Sequence, residues 1–174
     1  AGVGIGCANR KRKASLRHKD DRYVEIADRV CENGWFGQKT SKGYYLYGEG
    51  IDFLTPNPEI EVICSSERQR AGIIPKTFSD QEILDRYIAA MVYEGTKILQ
   101  EKISIRPSDI DVVYTNGYGF PKWRGGPMKY ADMIGLDKIL LNIQKFSEAD
   151  SRFWSPPQLL IDLVDKNKNF DSLN

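Results

Sequence analysis

Between Ser79 and Leu99 apolar residues return every three or four positions, and that stretch limits the possible folds more than any other. Ser79 followed by Glu82 reads as a capping box. Behind it Ile83, Leu84, Tyr87, Ile88, Met91, Val92, Ile98 and Leu99 are expected on one buried face. Gly95 falls on the same face, where glycine costs about 1 kcal/mol relative to alanine. Close approach of a second helix would offset that cost. A long amphipathic helix of this kind needs other helices to cover it.

The rest of the chain supplies them. A helix is expected from about Asp21 to Asn33, stopped by Asn33-Gly34, with Cys31 in its last turn as a core residue. Residues 57–72 read as a short helix capped by Asn57. PSDID places Ser108 ahead of a helix ending at Asn116-Gly117. Pro127 opens another that closes near Gly135. Leu136, Ile139, Leu140 and Ile143 form a further face, and SPPQ predicts a box of Ser155 with Gln158 and Pro156 at the first helical position. Only YYLY, near 43–47, looks β-like. The expected fold class is all-α.

Composition removes several functions. Net charge is +1, so no global field attracts nucleic acid. No run approaches the ~20 apolar residues of a membrane span. Cys7, Cys31 and Cys64 are odd in number and widely spaced, as buried free thiols are. One histidine and no CxxC exclude a His/Cys-rich metal site. The basic run from Arg10 to Arg22 reads as a solvated linker. The first residue is Ala1 rather than methionine, which hints at a non-native start.

Catalytic candidates are poor. Glycines at 2, 4 and 6 miss the GxGxxG spacing, whose third glycine would fall at Cys7, and a basic stretch follows rather than a helix. His18 has Arg17 and Lys19 as neighbours and Asp20 close only in sequence. Asp109 and Asp111 sit near a helix start, where negative charge is favourable in any case.

Residues 116–132, NGYGFPKWRGGPMKYAD, concentrate glycine, proline and aromatic rings. Tyr118, Phe120, Trp123 and Tyr130 could line an acyl or aromatic site, or could plug a corner between helices. The corner is favoured because few polar groups converge there. Gly117, Gly119, Gly125 and Gly126 would then permit tight turns, while Pro121 and Pro127 fix entry into the next helix.

Three stretches together resemble the C-terminal part of NAD-dependent 3-hydroxyacyl-CoA dehydrogenases, above all the multifunctional, peroxisomal bifunctional type. FGQKTSKGYYLY at 36–47, with Gly37, Lys39 and Gly43, is similar to FGxKTGxGFYxY. RPSDID and GYGFPKWRGGPM, within 79–132, are similar to RPxDID and GYGFPxxxGGPM. The resemblance implies a helical fold like the C-terminal domain of 6-phosphogluconate dehydrogenase. It implies that 1–47 is the tail of a first helical copy, 48–78 a connecting segment, and 79–174 a second copy with a C-terminal helix. AGVGIG at 1–6 echoes ADMIGL at 131–136, as if both closed a helix.

It further implies a parent that uses NAD to oxidise (3S)-hydroxyacyl-CoA to 3-ketoacyl-CoA and also carries an enoyl-CoA hydratase/isomerase. The partners of this segment would be the upstream NAD-binding and hydratase domains, with a homodimer as a further possibility. His18 lies in no matching motif, so no catalytic or cofactor residue is assigned, and the segment alone is expected to be inactive and to bind no NAD. Peroxisomal location follows from the resemblance, although DSLN replaces the SKL-type address; otherwise the cytoplasm or mitochondrion remains. The alternative is a stand-alone helical module that binds a protein or acyl-CoA.

Overall fold

The computed structural model describes residues 3–19, 21, 23–52 and 54–174. Gly2 of the glycine run and Asp20 lie outside the described residues. The chain divides into two compact units, Ala1–Thr77 and Phe78–Asn174. No sheet forms among the described residues, and the all-α expectation holds.

The first unit contains α1 (Val3–Lys13), α2 (Ile26–Glu32) and α3 (Glu59–Arg70), with α2 packed against both others. Expectations fail at two places here. The start of the basic run is not linker, because Arg10–Lys13 complete α1. Nothing between Val3 and Lys13 breaks a helix, and four cations in the last turn suit the negative end of its dipole. Since α1 runs through Gly4 and Gly6, AGVGIG does not close a helix as ADMIGL does. The second failure is the start of α2, which lies at Ile26 and not Asp21. Tyr23 instead leaves the helix to donate its hydroxyl to Asp28 Oδ2 at 2.6 Å. The Cys31 expectation is met: it is buried in α2.

α3 starts later than expected, with Pro58 rather than Asn57 at its N-cap, yet Asn57 still reaches its first turn. Its Oδ1 accepts from Glu59 N at 3.2 Å while its buried Nδ2 donates to the Gly43 carbonyl at 2.9 Å, tying α3 to the aromatic segment. That segment is held by isolated antiparallel bridges, Lys42 to Leu46 and Tyr45 to Pro56, rather than by a sheet.

The second unit is built around α4 (Asp80–Gln100), which touches α5 (Pro107–Gly117), α6 (Pro127–Ile134), α7 (Leu136–Ser147) and α8 (Gln158–Asp165). The Ser79 and Glu82 box is complete in both directions. The buried face differs from the expected one. Ile83 and Tyr87 are 57% and 61% exposed, whereas Ala89, Tyr93 and Thr96 are inside. Neighbours pack on α4 from several sides beyond Tyr87, so its buried surface is wider than a single stripe. Thr96 is tolerated there because its Oγ1 donates to the Val92 carbonyl at 2.7 Å.

Gly95 faces Met128 of α6, and a Cβ there would stand 2.6 Å from Met128 Sδ. The glycine is the contact that lets α6 lie against α4. On α7, Leu136, Ile139 and Ile143 are buried, as their spacing predicts. Two predicted caps do not form. Pro107 takes the first position of α5 ahead of Ser108, and α8 begins at Gln158, whose side chain reaches forward to Asp162 and not back to Ser155.

Candidate functional site

α6 begins at Gly126-Pro127 with no cap from its own sequence. The side chain that satisfies it comes from the preceding helix. Asp111 Oδ1 accepts from Met128 N at 2.8 Å and Oδ2 from Lys129 N at 3.0 Å. Asp111 is the one buried charged residue among the described residues. Burial pushes its carboxyl above the ordinary range, against the two amide bonds that favour the anion. The same arrangement recurs nearby. Asp132, on α6, accepts from Phe170 N at 2.8 Å and Asp171 N at 2.9 Å, so it seats the C-terminal 3₁₀ turn. Lys129 Nζ then pairs with Asp171.

Gly126 makes this approach possible. Its φ is 117°, and a Cβ would stand 2.3 Å from Asp111 Oδ1. The adjacent 3₁₀ turn, Lys122–Arg124, ends at Gly125, and Gly119 precedes it with φ at 72°. Gly117 closes α5, and Pro121 and Pro127 each precede or open the next turn. One carboxylate, that of Asp111, braces the turn between α5 and α6. The sequence signal was a helix start without its own cap, a Gly-Gly-Pro, which needs a partner from elsewhere; nothing in the spacing named Asp111.

The aromatic set divides. Phe120 is buried and meets Tyr130 edge-on at 6.4 Å, so these two plug the corner. Tyr118 and Trp123 are 76% and 77% exposed. Tyr118 lines an open apolar groove of about 610 Å³ with Tyr87, Met91, Tyr114, Phe120 and Arg124. The Arg124 guanidinium lies between the Trp123 and Tyr130 rings, 4.6 and 4.4 Å from their centroids. Its Nε is buried without a hydrogen-bond partner.

In the first unit the second glycine corner is equally tight. The Gly37 N–H donates to the Lys42 carbonyl at 2.8 Å, and a Cβ on Gly43 would stand 2.8 Å from Gly37 Cα. Lys39 lies exposed in the 3₁₀ turn between them. The two corners belong to different units.

The candidate acid–base groups do not converge. His18 N donates to Asp21 Oδ2, and Asp109 pairs with Arg106. Among the described residues no cluster could hold a metal, and no helix is long and apolar enough to cross a membrane.

Asp111 on the first turn of α6 and Asp132 on the C-terminal 3₁₀ turn brace an all-helical domain. Residues 83–171 match the family described as 3-hydroxyacyl-CoA dehydrogenase, C-terminal domain, and the chain belongs to that family. It is 43% identical over 151 residues to the peroxisomal bifunctional enzyme of Danio rerio, covering 85% of this chain and 21% of that protein. Identity is 37% over 158 residues to the peroxisomal bifunctional enzyme of Homo sapiens, 84% of this chain and 22% of that one. It is 34% over 166 residues to a peroxisomal fatty acid beta-oxidation multifunctional protein of Oryza sativa subsp. japonica, 93% and 23%. The chain thus spans about a fifth of the length of the curated relatives it matches.

Proposed function

We propose that this chain is the C-terminal helical part of a multifunctional fatty-acid β-oxidation enzyme. Its parent would oxidise (3S)-hydroxyacyl-CoA to 3-ketoacyl-CoA with NAD, carry an enoyl-CoA hydratase/isomerase as well, and work in peroxisomes. The role of this part is to pack and position. One observation carries that reading: the buried carboxylate in the matched region, Asp111, accepts from Met128 N and Lys129 N and so is spent on the first turn of α6. The glycine and proline corners, Gly37 with Gly43 and Gly117 to Pro127, are structural in this account.

The likeness of α1 and α2 to α7 and α8 supports residues 1–47 as the tail of an earlier copy. In both pairs the second helix is followed, two residues on, by a left-handed residue, Gly34 or Asn167, and then by a 3₁₀ turn, Gln38–Thr40 or Phe170–Leu173. The partners of this part would be the NAD-binding and hydratase domains of the same parent. The residues present do not fit a dinucleotide. Gly4 and Gly6 are enclosed in α1, where a phosphate-cradling turn would need them free of a helix. NAD therefore belongs to the parent's other domains, and no step is assigned to it here. Mixed with acetoacetyl-CoA and NADH, the chain should show no NADH loss above a heat-killed control; steady turnover would refute the silent role.

The groove beside Tyr118 favours a second reading, a module that binds acyl-CoA or a protein. Acyl-CoA at saturation should then change the fluorescence of Trp123, which adjoins Arg124 of the groove wall. Unchanged fluorescence would remove that reading.

A further inference from the structure

Opposite charges and an exposed ring share one groove of the second unit. One wall of the groove is α4, through Tyr87, Met91 and Glu94 at successive turns. The other is α5 and the corner behind it, through Tyr114, Phe120 and Arg124. Tyr118 lines it too and stays 76% exposed, its ring 5.5 Å from that of Tyr114. Ile83, exposed one turn before Tyr87, continues the apolar surface along α4. The two charges are not matched within the chain. Arg124 lies between the rings of Trp123 and Tyr130, which offer no acceptor oxygen, and its Nε is buried without a hydrogen-bond partner. Glu94 is exposed and has no ion-pair partner among the described residues.

We infer that this groove is where two copies of the chain meet, related by a twofold axis through it. The inference rests on the groove as a binding face, the second reading above, and names its occupant. A face that meets itself must carry both halves of every contact. This one does, with an open apolar groove and a protruding ring, a carboxylate and a guanidinium. A half-turn about an axis between Glu94 and Arg124 exchanges the two positions. Arg124 of each copy then faces Glu94 of the other, and its fork of donors meets two carboxylate oxygens. Tyr118 of each copy enters the groove of the other, and Ile83 and Tyr87 are covered beside it, releasing the water that now wets them. An acyl chain would cover the same floor but leave Glu94 against apolar surface without a cation, a cost that the second copy avoids. A peptide carrying one sign of charge would match Arg124 or Glu94 and not both.

The contact is small, so the pair should be weak, with dissociation on the order of 10 μM. Sedimentation equilibrium of the whole chain, at concentrations that bracket this value, should show a mass rising from 19.8 kDa toward twice that. Arg124→Glu and Glu94→Arg each set like charges face to face and should weaken association at least about tenfold. The double variant restores both pairs in reverse and should return to within about threefold of wild type. Tyr118→Ser alters an exposed side chain and should also weaken association about tenfold, so the face is tested even where Arg124→Glu fails to fold. A mass of 19.8 kDa at every concentration would overturn the inference. If acyl-CoA still changed the Trp123 fluorescence of that monomer, the groove would remain a binding site and the second copy alone would be wrong. A dimer that ignores Tyr118→Ser and both charge reversals would lie on another face and would overturn the inference as well.

Discussion

Gly126→Ala tests the locked corner most sharply. The backbone there has φ at 117° and ψ at 171°, a region that side-chain-bearing residues hardly enter. Forcing alanine into it costs on the order of 1–3 kcal/mol. The new Cβ would also lie 2.3 Å from Asp111 Oδ1 and 2.4 Å from Asp111 Cβ, so the carboxylate must leave. Its departure strands the Met128 and Lys129 N–H groups, at about 1–3 kcal/mol each where water cannot replace it.

The sum, roughly 3–9 kcal/mol, approaches the whole stability of a small domain. The second unit should melt at least ~15 °C lower or fail to fold. Gly119→Ala is the control, since φ is 72° but nothing lies within 4 Å of its Cβ. It should cost only about 1 kcal/mol. In a Trp35→Phe background the remaining tryptophans, Trp123 and Trp154, both report the second unit, so fluorescence melting separates it from the first. Asp111→Ala removes the same two hydrogen bonds, and they can be lost only once. The double variant should therefore lose less than the sum of the singles. The reasoning fails if Gly126→Ala melts no lower than Gly119→Ala, or if the two losses simply add.

Phe120→Ala should cost about 3 kcal/mol because Phe120 plugs the corner, whereas Trp123→Ala should stay within about 0.5 kcal/mol; denaturant titration of both decides. Gly95→Val should lower stability by about 1–3 kcal/mol, since its Cβ meets Met128 Sδ across the contact of α4 with α6; a melting temperature equal to wild type would mean that α6 can shift freely. Burial pushes the Asp111 and Asp132 carboxyls up in the folded state. A raised carboxyl contributes stability that is complete below its unfolded value and lost as pH rises through its folded one. Acidification from pH 7 to about 4.5 should thus favour the second unit, and Asp132→Asn should reduce that gain; an unchanged pH profile in the variant would contradict it.

The long helix, its capping box and the need for a close neighbour at Gly95 were all legible, because each is written in local spacing. So was the corner at 116–132. What the sequence hid was long-range. Asp111 looked like an ordinary charge near a helix start, since its partners stand in another helix and only folding brings them within reach. Ser108 failed as a cap because Pro107 takes the first position of α5, and Ser155 because α8 begins only at Gln158, behind Pro157 rather than at Pro156. Ile83 and Tyr87 were misplaced because periodicity gives a stripe, while the surface of α4 that is covered depends on where α5 to α8 lie.

The central claim is that these helices serve a much larger β-oxidation enzyme. An immunoblot of source cells with an antibody against this chain measures that directly. The account predicts a band several times larger than 19.8 kDa. A band near 19.8 kDa would contradict it and give the lead to the stand-alone module.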